Sequence, residues 1–147
     1  MSQLHFQHIQ GKALDIIHAI LHTEEVASLG DEQGVIRLVA EELVVNIVDY
    51  AGSEYLDVEL MRDEDSITLR FRDGGVPFNP LDEEEPDITL PLKERRIGGL
   101  GIFLVIKKMD SVEYENTNGE NILTVMKKIK KHRGDTGVRN VVSRPLT

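Results

Sequence analysis

Two runs of alternating apolar and polar residues, joined by a short polar turn, constrain the fold of this chain more than any other feature. Tyr55-Leu56-Asp57-Val58-Glu59-Leu60-Met61 and Ser66-Ile67-Thr68-Leu69-Arg70-Phe71-Arg72 both repeat with a period of two, and Arg62 to Asp65 connects them. That period puts alternate side chains on opposite faces of a strand, and so short a turn makes the neighbours antiparallel, which predicts a β-hairpin. A second pair closes the sequence: Val112-Glu113-Tyr114 and Asn121 to Ile129 flank Asn118-Gly119, a dipeptide suited to a tight hairpin turn. Leu4-His5-Phe6-Gln7-His8-Ile9 alternates as a further strand.

Helical periodicity fills the intervals. Leu14, Ile17, Ile20 and Leu21 predict an amphipathic helix over Ala13 to Leu21. Asp31 is placed to cap a second helix running to about Tyr50, with Val35, Leu38, Val39, Leu43, Ile47 and Tyr50 on its buried side. Ala51-Gly52-Ser53 breaks it, and Ile102 to Met109 reads as a third helix entered through glycines. Between Gly74 and about Ile97 regular patterning disappears and four prolines accumulate, Pro77, Pro80, Pro86 and Pro91. A loop that long in a small domain is expected to be functional, a lid being one use.

Strands joined by hairpins, with the helices grouped together, imply an α/β fold: a two-layer α/β sandwich with a mixed, mainly antiparallel sheet covered by helices on one face. A doubly wound nucleotide fold would alternate strand and helix, and this chain does not. With 147 residues the chain has the length of one domain, expected over 1–130, followed by a basic C-terminal tail at 131–147. The absence of cysteine excludes disulfides and thiolate metal sites and fits a reducing cytoplasm. No apolar run approaches the roughly 20 residues that span a bilayer, so no membrane partner is expected. A net charge of −9 argues against bulk nucleic-acid binding. The charge is uneven: Asp82-Glu83-Glu84-Glu85-Pro86-Asp87 is densely acidic, while Lys127, Lys128, Lys130, Lys131 and Arg133 make the end basic. Both runs read first as solvated surface.

Three constellations could carry chemistry. In Glu41-Glu42-Leu43-Val44-Val45-Asn46, Glu42 and Asn46 are one helical turn apart on the same face. A carboxylate beside an amide oxygen suits a Mg²⁺ that keeps waters and takes other ligands from phosphates, and the carboxylate could accept a proton. The same spacing also describes a plain solvated stripe. In Asp73-Gly74-Gly75-Val76-Pro77-Phe78 an acid at a strand end precedes two glycines. That is either a simple turn or an acceptor for an exocyclic amine, with glycines admitting a flat ring. In Arg95-Arg96-Ile97-Gly98-Gly99-Leu100-Gly101 the glycines at a helix entrance leave backbone N–H groups open to phosphate. Close helix-to-sheet packing would explain them equally. The layout is not that of a P-loop.

Taken in order, E-L-V-V-N, D-G-G-V-P-F-N-P and G-G-L-G-I-F-L-V followed by M-D-S-V-E-Y resemble the N, G1 and G2 boxes of the GHKL ATPases, the Bergerat-fold group. Within that group the chain is most similar to the small bacterial anti-sigma-factor serine/threonine kinases, over about Leu14 to Ile129. The resemblance implies ATP and Mg²⁺ as cofactors, Asn46 carrying the metal and Glu42 acting as general base. It implies that Asp73 binds the adenine amine and that Gly75 lines the adenine pocket. Gly98, Gly99, Leu100 and Gly101 would hold phosphates beneath a lid from Pro77 to Ile97. Many relatives carry a basic residue directly before the glycine turn; here Ile97 intervenes and Arg96 sits one residue earlier. Glu41 would point about 100° away from the site.

The implied function is a regulatory protein kinase that binds a sigma factor and phosphorylates a small anti-anti-sigma antagonist on serine. A nucleotide-gated binding module without kinase activity is the alternative, and an excised histidine-kinase catalytic domain is a third. The same resemblance makes the Leu4 to Ile9 strand a candidate edge for a homodimer. His18 and His22, four apart on the first helix, have no evident third ligand and read as surface residues.

Overall fold

A computed structural model describes residues 1–79, 81 and 99–129. Its elements run β1 (Ser2–Gln7), α1 (Ala13–Leu21), α2 (Glu24–Ala27), α3 (Gln33–Asn46), a π-helical turn (Ile47–Ala51), β2 (Tyr55–Arg62), β3 (Ser66–Asp73), α4 (Gly99–Lys108), β4 (Ser111–Thr117) and β5 (Glu120–Lys128). The strands form one sheet in the order β1-β2-β3-β5-β4, and every pairing is antiparallel. The mainly antiparallel sheet of the sequence reading is thus antiparallel throughout the described residues.

The alternation that predicts the strands also decides which face is covered. Leu56, Val58 and Leu60 of β2, Ile67, Leu69 and Phe71 of β3, and Leu123 and Val125 of β5 are buried on one side. They pack with Ile16, Ile17, Ile20, Ile36, Val39, Ala40, Leu43, Val44, Ile102 and Val105 from the helices in a single core. Residues of the opposite parity form a polar sheet face. There Gln3 donates to Glu59 at 3.0 Å, Arg70 pairs with Glu59 at 3.4 Å, and the Arg70 Nε–H reaches Thr124 Oγ1 at 3.2 Å. The β4–β5 hairpin turns through Asn118 and Gly119, both at positive φ (54° and 80°), as a two-residue turn of this type requires.

Several expectations are corrected. The second helix begins at Gln33, with Glu32 rather than Asp31 in the capping position. A separate short helix, α2, precedes it, started by Thr23, whose hydroxyl accepts the Val26 N–H. On α1 the buried stripe is Ile16, Ile17 and Ile20, and Leu14 is 69% exposed. On α3 the buried stripe is Ile36, Val39, Ala40, Leu43 and Val44. Tyr50, expected on that stripe, is exposed because the wider π turn adds a residue to the helical period and rotates it outwards. α4 begins at Gly99, so Gly99, Leu100 and Gly101 form its first turn instead of preceding it. Gly98, Arg95, Arg96, the acidic run, the segment expected as a lid beyond Leu81 and the tail from 131 lie outside the described residues.

Candidate nucleotide site

A cavity of about 220 Å³ opens between the helical layer and the end of the sheet. Asn46, Ile47, Tyr50 and Ala51 wall it from α3 and the π turn, and Phe71 and Asp73 wall it from β3. Ile102, Tyr114, Asn121 and Leu123 complete it from α4, β4 and β5. The lining is mostly apolar with a few polar groups, the composition of a site that takes an aromatic ligand and fixes its orientation by a small number of hydrogen bonds.

Asp73 is the last residue of β3, on the inward parity, and only 5% exposed. Its Oδ1 accepts the Gly75 N–H at 2.8 Å and the Asn121 side-chain N–H at 3.1 Å. Among the described residues Oδ2 has no partner. Burial is the largest influence on this carboxyl and pushes its pKa above the ordinary 3.8, assisted by the nearby Glu120 charge; the two donors pull the other way without overcoming it. A buried acceptor lining an apolar cavity is the chemistry needed to recognise an exocyclic amine.

Gly75 does not line the cavity. A Cβ there would lie 2.2 Å from the Ala51 carbonyl oxygen, and the adjoining Val76 N–H donates to that oxygen at 2.9 Å. The residue is glycine because the backbone after β3 lies directly on the π turn. Ser53 ties the same joint, its hydroxyl accepting from Tyr55 N at 3.2 Å and Gly74 N at 2.9 Å while donating to Tyr55 O at 2.7 Å. Behind it, the Tyr55 hydroxyl donates to Glu120. Burial, first, and then this bond push the Tyr55 phenol up to about 12.

Glu42 and Asn46 are both half-buried on the same side of α3. Glu42 reaches the first turn of α4: a Cβ on Gly101 would lie 1.7 Å from Glu42 Oε1 and 2.6 Å from its Cδ. Gly101 therefore leaves the space that this carboxylate occupies. Neither Glu42 nor Asn46 has a hydrogen-bond partner among the described residues. Asn46 faces the cavity, whereas Glu42 lies beside the head of α4. Glu41 is exposed and pairs with Arg37 at 3.7 Å, and Asp49 is exposed. No cluster of three or more metal-ligating side chains occurs among the described residues. His18 and His22 are exposed, with His22 Nδ1 2.7 Å from the His18 carbonyl oxygen.

Asn121 is a site residue that sequence reasoning did not single out. It is the one buried polar position on β5, in parity with Leu123 and Val125, and a polar residue interrupting an apolar stripe was the available signal. The π turn carries no comparable signal.

A family model described as the histidine kinase-like ATPase domain matches residues 8–127. The chain belongs to this family. Among curated proteins it is similar to the sensor histidine kinase MtrB of Mycolicibacterium paratuberculosis and of Mycobacterium tuberculosis, at 30% identity over 95 residues, 62% of this chain. The chain spans 17% of the length of those relatives. Among solved structures, the Acinetobacter baumannii histidine kinase AdeS matches with a TM-score of 0.53 and 13% identity, covering 89% of this chain and 69% of that one. The catalytic domain of histidine kinase ThkA matches with a TM-score of 0.51 and 14% identity, covering 88% and 99%. The shared architecture is that of the GHKL, or Bergerat, ATP-binding group. No helix among the described residues is long and apolar enough to cross a membrane.

Proposed function

We propose that this histidine kinase-like ATPase domain binds Mg-ATP and acts as a regulatory protein serine/threonine kinase of the anti-sigma-factor type. Its substrate would be a small antagonist protein and its second partner a sigma factor, in the cytoplasm. The observation that carries the kinase reading is the placement of the Glu42 carboxylate, lodged against Gly101 at the head of α4 and without a hydrogen-bond partner among the described residues. That helix start offers N–H donors to phosphate, and a free carboxylate beside it is placed to take a proton from an attacking hydroxyl.

The roles divide along the site. Asp73 accepts the N–H of the adenine amine while the apolar walls hold the ring. The first-turn N–H groups of α4, through Gly99, Leu100 and Gly101, receive phosphate oxygens, with Gly98 and Arg96 extending this contact. Asn46 fits a Mg²⁺ that takes few protein ligands, because its amide lines the cavity and has no partner among the described residues. A Mg²⁺ held there by Asn46 would supply charge neutralisation of the phosphates. Glu42 accepts the proton of the substrate hydroxyl as its oxygen bonds to the γ-phosphorus and the bond to the bridging oxygen breaks, releasing ADP.

The similarity to sensor histidine kinases favours a second reading, a catalytic domain that phosphorylates histidine. One assay separates the readings: incubation with Mg-[γ-³²P]ATP and a small anti-anti-sigma-type protein from the same organism. The serine kinase reading expects acid-stable, base-labile label on the antagonist, lost by about 10²- to 10⁴-fold in Glu42→Ala while ATP still binds. Acid-labile label would move the reading to histidine. ATP binding with no label on any protein would leave a nucleotide-gated binding module.

A further inference from the structure

We propose that Asn121 is the positioning residue for base recognition: it fixes Asp73 and the backbone at 74–76 so that one carboxylate oxygen is left for a 6-aminopurine. This inference rests on the ATP-binding reading above. Asn121 stands directly opposite Asp73 in the β3–β5 register and is 6% exposed. Its amide nitrogen donates to Asp73 Oδ1 at 3.1 Å, Gly75 O at 3.3 Å and Val76 O at 3.0 Å. Its oxygen accepts from Asn116 Nδ2 at 3.0 Å and from the Tyr114 hydroxyl.

Those partners determine which way the amide points. Three acceptors converge on the nitrogen, and the Asn116 amide donates to the oxygen; a flipped amide would set oxygen against three oxygens. With the Gly75 N–H also on Oδ1, that oxygen holds two donors, and Oδ2 has no partner among the described residues. The same amide fastens the carbonyls of Gly75 and Val76, so carboxylate and adjoining cavity wall are set by one side chain. Packing alone does not call for an amide here, because the parity positions Leu123 and Val125 are apolar. Burying an amide is unfavourable unless it is bonded, and here its donors are spent on Asp73 and the wall that flanks it.

Asp73 is faced by Tyr55 from β2, whose hydroxyl donates to Glu120 of β5, by Glu120 itself, and by Tyr114 from β4 through Asn121. Asn46 and Tyr50 share its cavity from the helical side. Of these only Glu120 adds a negative charge beside the carboxyl. A carboxylate at 121 would add another in direct contact.

The test compares Mg-ATP with Mg-ITP, which carries oxygen in place of the amine, by calorimetry on the wild type, Asn121→Leu and Asn121→Asp. The wild type is expected to prefer ATP. Asn121→Leu should reduce that preference by about tenfold or more, because ATP affinity falls further than ITP affinity. Asn121→Asp, nearly isosteric, carries the test if the leucine variant fails to fold. Its paired carboxyls should raise the pH midpoint of ATP binding by about one unit or more and leave ITP binding unmoved. An unchanged ATP preference and an unchanged midpoint overturn the inference alone. A wild type that binds ATP and ITP equally removes the amine contact and this inference with it, while one that binds neither nucleotide overturns the ATP reading as well.

Discussion

In the proposed site Asp73 would serve binding at the expense of the fold. Its carboxyl titrates above the ordinary 3.8 because burial disfavours the ion. The folded state therefore holds that proton more tightly than the unfolded chain does. The resulting stabilisation is full below the unfolded pKa and is lost as pH rises through the folded value. At neutral pH the ionised group weighs against the empty fold. Asp73→Asn retains an oxygen for the Gly75 and Asn121 donors and removes the buried charge. Urea denaturation should find the variant at least as stable as the wild type at pH 7, and relatively less favoured at acid pH. Calorimetry should find ATP affinity reduced by about tenfold or more, because an amide can turn an N–H towards the purine amine. The acid itself was legible in the sequence as a residue at a strand end before two glycines; its Asn121 partner was not, because the strand register that brings them together spans 48 residues of chain.

At the scale of elements, α4 and the end of α3 meet at Gly101. Glycine within a helix costs about 1 kcal/mol relative to alanine, so its presence in the first turn of α4 needs a reason. The Glu42 carboxylate supplies it. Gly101→Ala should fold with stability within about 1 kcal/mol of the wild type, the helical gain offsetting the displacement of a flexible side chain. Phosphoryl transfer should fall by about tenfold or more as Glu42 is pushed from its place. Thermal melts and the ³²P assay check the two halves of this expectation separately. At Gly75 the neighbour is the Ala51 backbone, which cannot swing aside, so the glycines that look alike in sequence meet different constraints. The helix over 13–21 and the β2–β3 hairpin followed from periodicity almost to the residue. The start of α3 did not, because Asp31 suits a cap by type whereas the helix begins after Glu32, which makes no side-chain capping bond.

For the whole molecule, the cavity lies where the helical layer and one end of the sheet separate, and its walls come from α3, α4 and three strands. A ligand that bridges them stabilises the assembly through mass action. Mg-ATP at about a hundredfold excess over its Kd should add about 2.7 kcal/mol and raise Tm by roughly 10 °C, whereas ITP at the same concentration should add less. Differential scanning fluorimetry reads both shifts. The opposite, polar sheet face carries Gln3, Glu59, Arg70 and Thr124 in mutual contact and takes no part in this cavity.

What the sequence determined by itself was local. Periods of two and 3.6 specify strands, helices and their buried sides, and Asn118-Gly119 specifies a turn, because each depends on neighbours along the chain. The order of motifs was sufficient to suggest a GHKL site, since helix, strand end and helix start are themselves local features. Tertiary structure decided the rest: that Glu42 fills the space left at Gly101, that the backbone at Gly75 lies against Ala51, and that Asn121 holds Asp73. Each is a contact between segments far apart in sequence, fixed by sheet register and by how the helices sit on it, and no pattern within one segment encodes it.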